Sequence, residues 1–369
     1  MTFDPIYIHE MNCVSPLGID LVSNWTQLLK GNSGIVQHDV GRIKNSYTSK
    51  IAPEEAIELL TPAEDSTLLE RMLFTTAKPI VAKHAPTSRT AFVFSTTKGN
   101  VSFLEEGRTS DAALSVLAKK AAEALGFKTQ PIVVSHACVS GLLALAVAKR
   151  LIQIGQYDDA VVLAGDVVSE FVLSGFQAFQ AMSPFPCKPF DKDRAGVSLG
   201  EAAACVYVSK EKGAFKIVGE AAINDANHIS GPSRTGEGLV QSIQRAANEA
   251  RMDVMDVDFI SAHGTATLYN DEMEAVAFHR LGLQEIPMHS LKGYYGHTLG
   301  ASGLLETVIA LKAMQEHVLL PTLGFEELGV SQPVNIIRTI TRQPLMRLLK
   351  TASGFGGSNA AMMIEKVDY

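Results

Sequence analysis

Residues 142–148 read Leu-Leu-Ala-Leu-Ala-Val-Ala. A helix built from this run is apolar on nearly all sides, so other elements must cover it all round. Just before it come an apolar β-branched run, "PIVV", and a turn of small residues around one cysteine, "SHACVSG". A strand that passes through a tight turn into a buried helix is an α/β arrangement, and the carboxyl ends of strands are where sites assemble in such folds. A buried cysteine usually acts as a small hydrophobe. At the first turn of a helix, free N–H groups and the helix dipole favour the thiolate instead. Cys138 is therefore expected at the top of a central buried helix, where it needs partners from elsewhere in the chain.

The rest of the sequence alternates in the same way. Strand-like runs include "PIYIHEMNCV", "TAFVFST", "DAVVLAGD" and "AACVYVS" in the first part, then "VDFISAHG", "IPMHSLK", "LLKTASGFGG" and "NAAMMIEKV". Helical patterns such as "DAALSVLAKKAAEALG", "GLVQSIQRAANEARM" and "LLETVIALKAMQEH" lie between them. This predicts α/β layers in two similar halves. With 369 residues there is ample material for such a core. The net charge of −7 argues against a nucleic-acid binder. The four cysteines, 13, 138, 187 and 205, form no CxxC pair, so neither a metal site nor a disulfide framework is indicated. Cys13, Cys187 and Cys205 read as packing residues. No apolar stretch is long enough to span a bilayer and no secretory leader is seen at the start, so a cytoplasmic protein is expected.

Four strand-to-turn junctions carry polar or glycine-rich chemistry. They are His136-Ala137-Cys138, "SAHGTAT" with His263, "SLKGYYGHTLGASG" with Lys292 and His297, and "SGFGGSN" with Phe355 between glycines. A histidine beside glycine is most often structural. Two of them at strand ends, together with a helix-start cysteine, point to nucleophilic catalysis.

These motifs, with "CVSPLG" followed by "NWTQLLKGNSGI", "GFQAFQAMSP" and "CKPFDKDRAGVSLGEAAA", resemble those of the elongating β-ketoacyl-acyl carrier protein synthases, thiolase-fold condensing enzymes, over almost the whole chain and in the family's order. The resemblance implies a thiolase-like α/β fold of two similar halves, 1–210 with the nucleophile and 211–369 with the two histidines, layered α-β-α-β-α. It implies decarboxylative condensation of an acyl group on Cys138 with malonyl-acyl carrier protein, in fatty acid or polyketide-like (polyene) synthesis. No cofactor or metal is expected.

Position by position, Cys138 matches the nucleophile, and His263 and His297 the pair that binds the malonyl thioester carbonyl. Lys292 and Glu274 match a supporting charged pair, and Asp271 a carboxylate beside it. Phe355 matches a gate. The N–H groups of Cys138 and Phe355 are candidates for an oxyanion hole at the acyl carbonyl. Phe176 matches a residue lining the acyl pocket, and Phe179, three residues on, faces the same way if the stretch is helical. The Asp271–Glu274 spacing also fits a helix capping box.

The implied partners are the carrier protein and a second subunit, either a copy of this chain or a related ketosynthase. The apolar run "PIVVSHA" is the candidate pairing edge. "VFSTTKGN" stands where the family commonly has a glycine-rich loop, and resembles relatives in aryl-polyene-type pathways. A thiolase would need a second cysteine near "SGFGGSN", and an initiating synthase an asparagine in place of His297. A partner subunit that only shapes the pocket of an active synthase is the remaining alternative, and it usually lacks the cysteine.

Overall fold

The computed structural model describes residues 4–226 and 231–367. One ten-stranded sheet runs through it. The first half supplies β1 (Ile6–Val14), β2 (Thr90–Ser95), β3 (Ile132–Val134), β4 (Asp159–Asp166) and β5 (Ala202–Ser209). The second supplies β6 (Phe215–Asn224), β7 (Phe259–Ser261), β8 (Met288–His289), β9 (Arg347–Gly354) and β10 (Ser358–Lys366). The spatial order is β3-β2-β4-β5-β1 and then, continuing through an antiparallel β1–β6 pair, β6-β10-β9-β7-β8. Read outward from the junction, the two halves have the same strand order. They also share the same senses, parallel among the outer three strands and antiparallel inward.

Helices fill three layers around the two half-sheets. The first half has α1 (Leu68–Lys83), α2 (Leu114–Ala124), α3 (Ser140–Gln153) and α4 (Glu170–Ala178). The second has α5 (Glu237–Ala250), α6 (Leu268–Arg280) and α7 (Ser302–Glu316). One apolar cluster joins α3 and α7 to the inner faces of both half-sheets. Side chains of α1 and α2 pack on the outer face of the first half-sheet, and those of α5 and α6 on that of the second. The layers are thus α-β-α-β-α. Strands buried on both faces read as continuous apolar runs, as β2 and β4 do.

The two central helices cross where glycines let their backbones touch. A Cβ on Gly141 would lie 2.8 Å from the Leu304 nitrogen and the Gly300 oxygen, and one on Gly303 2.8 Å from the Leu142 nitrogen. This crossing brings together the starts of α3 and α7, each of which follows the third strand of its half. Gly303→Ala is expected to force the helices apart, destabilising the chain by about 1–3 kcal/mol. Thermal unfolding checks this, and an unchanged midpoint would mean that the crossing is not tight.

The strand runs singled out in the sequence all contribute to the sheet. β6 was not among them. Its "FKIVGEAAIN" carries Glu220, which is buried and paired with Arg150 and, at 3.9 Å, with Lys149. A charged residue there breaks the apolar pattern, and only partners from α3 permit its burial.

Candidate active site

Cys138 lies two residues before α3, on a turn in which Ala137 has φ +45°, the left-handed region disfavoured for a residue with a Cβ. The turn aims the sulfur at the other half of the molecule. Its Sγ lies 2.9 Å from His297 Nε2, and the Phe355 N–H also points at it. The helix start does not hold a thiolate here. Burial pushes the thiol up to about 12, against the lowering pull of the Lys292 ammonium, so the resting group is S–H. His297, which reaches the sulfur from across the core, is the candidate for its activation. Cys13, Cys187 and Cys205 are buried, and Cys187 Sγ contacts the Lys292 carbonyl at 3.2 Å.

His263 follows β7, and its ring lies 5.2 Å from that of His297, nearly perpendicular to it. Lys292 Nζ donates to the His263 carbonyl at 2.6 Å and approaches His263 Nδ1 at 3.3 Å. An ammonium can only donate, so it assigns the lone pair to Nδ1 and the proton to Nε2. Burial, reinforced by Lys292, holds His263 well below its usual range and brings His297 down to about 3. Both imidazoles are neutral at physiological pH.

The expected Lys292–Glu274 pair is not formed. Lys292 Nζ pairs with Glu306 of α7 at 2.6 Å, and Glu306 pairs also with Lys350 of β9 at 2.6 Å. Glu274 instead accepts from the N–H groups of His263 and Gly264, at 2.8 and 2.6 Å. Asp271 accepts from those of Phe190, Thr265 and Ala266. Both carboxylates therefore shape the loop that carries His263. Burial, with Asp271 nearby, pushes Glu274 up to about 7. Nor do the two form a capping box: α6 starts from Thr267, whose hydroxyl accepts from the Asn270 N–H.

Cys138, His263 and His297 place their ligand atoms within 4.8 Å of one another. The set fits a dication poorly. His263 Nε2 presents a proton, and the ammoniums of Lys292 and Lys350 stand behind it.

These groups open on a cavity of about 420 Å³, lined also by Phe176, Phe179 and Phe355. Phe176 stacks on Phe355 at 5.7 Å, and Phe179 meets Phe355 edge-on at 5.2 Å. Phe179 ends α4 and is 54% exposed, at the rim of the cavity. The "STTKGN" loop is held without the expected glycines by Asp166. This buried carboxylate accepts from Thr96, Thr97, Lys98 and, across the core, Gly300.

Glu306, Lys350 and Asp166 were not singled out in the sequence. The signal for the first two was one acid in the otherwise apolar "LLETVIAL" and one lysine at an inward position of β9. Among the described residues no helix is long and apolar enough to cross a membrane.

Two family descriptions match adjoining parts of the chain, the β-ketoacyl synthase N-terminal domain over 88–214 and the C-terminal domain over 215–326. A 3-oxoacyl-[acyl-carrier-protein] synthase 2 of Rhizobium meliloti is 32% identical over 62% of this chain, and the match spans 59% of that relative's length. The ketoacyl synthase alpha subunit of a tetracenomycin polyketide synthase from Streptomyces glaucescens is 33% identical over 63% of this chain and 59% of its own length. A putative mitochondrial 3-oxoacyl-[acyl-carrier-protein] synthase of Schizosaccharomyces pombe is 26% identical over 98% of this chain and 99% of its own. Among solved structures, the ketosynthase ApeO in complex with its chain length factor ApeC, from Xenorhabdus doucetiae, superposes at a TM-score of 0.88 with 24% identity, covering 99% of this chain and 98% of that one. The ishigamide ketosynthase/chain length factor superposes at 0.90 with 21% identity, covering 99% and 100%. These two likenesses give the fold, which is thiolase-like. The two adjoining domain matches, which together run over 88–326 and so cover more than half of the chain, establish that this chain belongs to the β-ketoacyl synthase family.

Proposed function

We propose that the chain is a β-ketoacyl-acyl carrier protein synthase that condenses an acyl group held on Cys138 with a malonyl group brought by an acyl carrier protein. The contact of 2.9 Å between Cys138 Sγ and His297 Nε2 carries this reading. In the loading half, sulfur attacks the acyl carrier thioester while its proton passes to His297 Nε2. The carrier thiolate then leaves and takes that proton. In the condensing half, the malonyl C–C bond breaks, CO2 leaves, and the electron pair forms an enolate whose oxygen accepts from His263 Nε2–H. The enolate carbon attacks the acyl carbonyl, whose oxygen faces the N–H groups of Cys138 and Phe355. Cys138 leaves as thiolate and takes up one proton. His297 Nδ1 has no hydrogen-bond partner among the described residues, so neither tautomer is enforced. Its Nε2 is free to accept in the first half and donate in the second. Lys292 acts through His263, and Glu274 and Asp271 through the loop that bears it.

The working unit is a dimer, of this chain or with a related subunit, paired through β3, which lies at the edge of the sheet. The division into halves 1–210 and 211–369 is supported by their common strand order. Four unpaired cysteines suit a reducing compartment, the cytoplasm. The alternative of a chain-length-shaping partner subunit draws on the solved complexes of ketosynthases with chain length factors. Cys138 facing His297 favours the catalytic member.

Intact-mass measurement after incubation with acyl carrier thioesters of increasing chain length tests the reading. One acyl adduct is expected, and Phe179→Ala is expected to admit longer or bulkier chains with little change for short ones. No adduct at any length, with or without a related subunit, would overturn the proposed activity. A uniform loss in the variant with lower thermal stability would make the ring structural.

A further inference from the structure

Glu306 is one carboxylate shared by two ammoniums. Lys292 Nζ and Ser302 Oγ donate to its Oε1, at 2.6 and 2.8 Å, and Lys350 Nζ to its Oε2 at 2.6 Å. Both lysine side chains have no exposed surface. The two cations pull the Glu306 carboxyl down to about 2 in spite of its burial, so it is ionised. One negative charge then faces two positive ones, and burial lowers Lys350 from its usual range against the pull of Glu306, with Lys292 adding to the lowering. Glu274 is the nearest further carboxylate on α6. It is bound to backbone N–H groups and sits near 7, so it offsets the excess only in part. The other groups facing this cluster are His263, His297 and, from β8, His289, which burial lowers to about 4. All three are neutral. A buried excess of positive charge is destabilising unless an anion comes to meet it.

Lys350 is also tied to the backbone that carries His263. Its residue pairs with Ser261 across the β7–β9 ladder, and Nζ donates to the carbonyls of Ser261 and Thr351 at 3.1 and 2.7 Å. The ammonium is thus fixed just behind the end of β7.

We propose that Lys350 is a positioning residue for the decarboxylating half-reaction, a second buried ammonium on Glu306 whose charge, in excess of its carboxylate partner, favours the enolate formed against His263. The inference rests on the proposed synthase activity. The excess charge stabilises a negative charge that appears in the transition state, and in a water-poor site its effect reaches beyond contact distance. It bears less on acyl loading, in which the sulfur's proton is handled by His297.

The test compares Lys350→Met, Lys350→Gln and Lys350→Arg with the unchanged chain. Two rates are measured: CO2 release from malonyl carrier thioester, with kcat and KM separated, and acyl loading by intact mass. In the Met and Gln variants the ratio of decarboxylation to loading is expected to fall about tenfold or more, in kcat rather than KM. The thermal midpoint should hold or rise, since the ammonium removed exceeds its counter-charge. The Arg variant, which keeps the charge, is expected to keep the ratio within about threefold. Equal losses in both half-reactions would overturn the proposal. So would full decarboxylation in the Gln variant, which would mean that a donor to the carbonyls is enough, and so would a Met variant that does not fold. An unchanged chain that loads acyl groups but releases no CO2 would instead refute the proposed synthase activity.

Discussion

Cys138→Ala is expected to abolish acyl transfer to the chain, with at least about a 10³-fold loss, because it removes the thiol that faces the cavity with His297 Nε2 2.9 Å away. Malonyl decarboxylation should persist, since His263, His297 and the cations behind them are untouched. The fold should also persist. Alanine removes only one sulfur from a site already 8% exposed, and the helix crossing at Gly141 and Gly303 does not involve it. Intact mass reads the first expectation and CO2 release the second. Full-stoichiometry acylation of the alanine variant would remove Cys138 from the mechanism. Loss of decarboxylation along with loading would mean that the thiol takes part in both halves.

The two histidines should fail differently. His263→Ala removes the one imidazole whose tautomer is fixed by Lys292, and with it the Nε2–H donor to the enolate. Decarboxylation is expected to fall about 10²–10³-fold, the usual loss for one donor to a developing oxyanion, with a smaller effect on loading. His297→Ala should damage both halves, because His297 Nε2 is also the contact of the Cys138 sulfur. Rapid-quench loading and CO2 release on the two variants separate these patterns. Identical profiles would contradict the division of labour read from the geometry.

The sequence by itself determined much of this site. The all-apolar run 142–148 required a central helix, and α3 is indeed buried between the half-sheets. Cys138, His263 and His297 were legible because each stands at a strand end beside small residues, a local pattern that needs no knowledge of the partner. Residue type and spacing also placed Cys13 and Cys205 in strands of the core.

Only the tertiary structure decided what pairs with what. The family resemblance implied Glu274 as the partner of Lys292. The glycine-mediated crossing of α3 and α7 turns Glu306 toward Lys292 instead, and the register of β9 against β7 delivers Lys350 from 44 positions further along the chain. A helix period reports which face is covered, not by which side chain. A lone acid in an apolar helix therefore looks like an exception until its cations are seen. The state of the Cys138 thiol was decided in the same way. A helix start predicts a thiolate, but the surrounding fold buries the group, and desolvation, which depends on the whole fold, outweighs the local dipole.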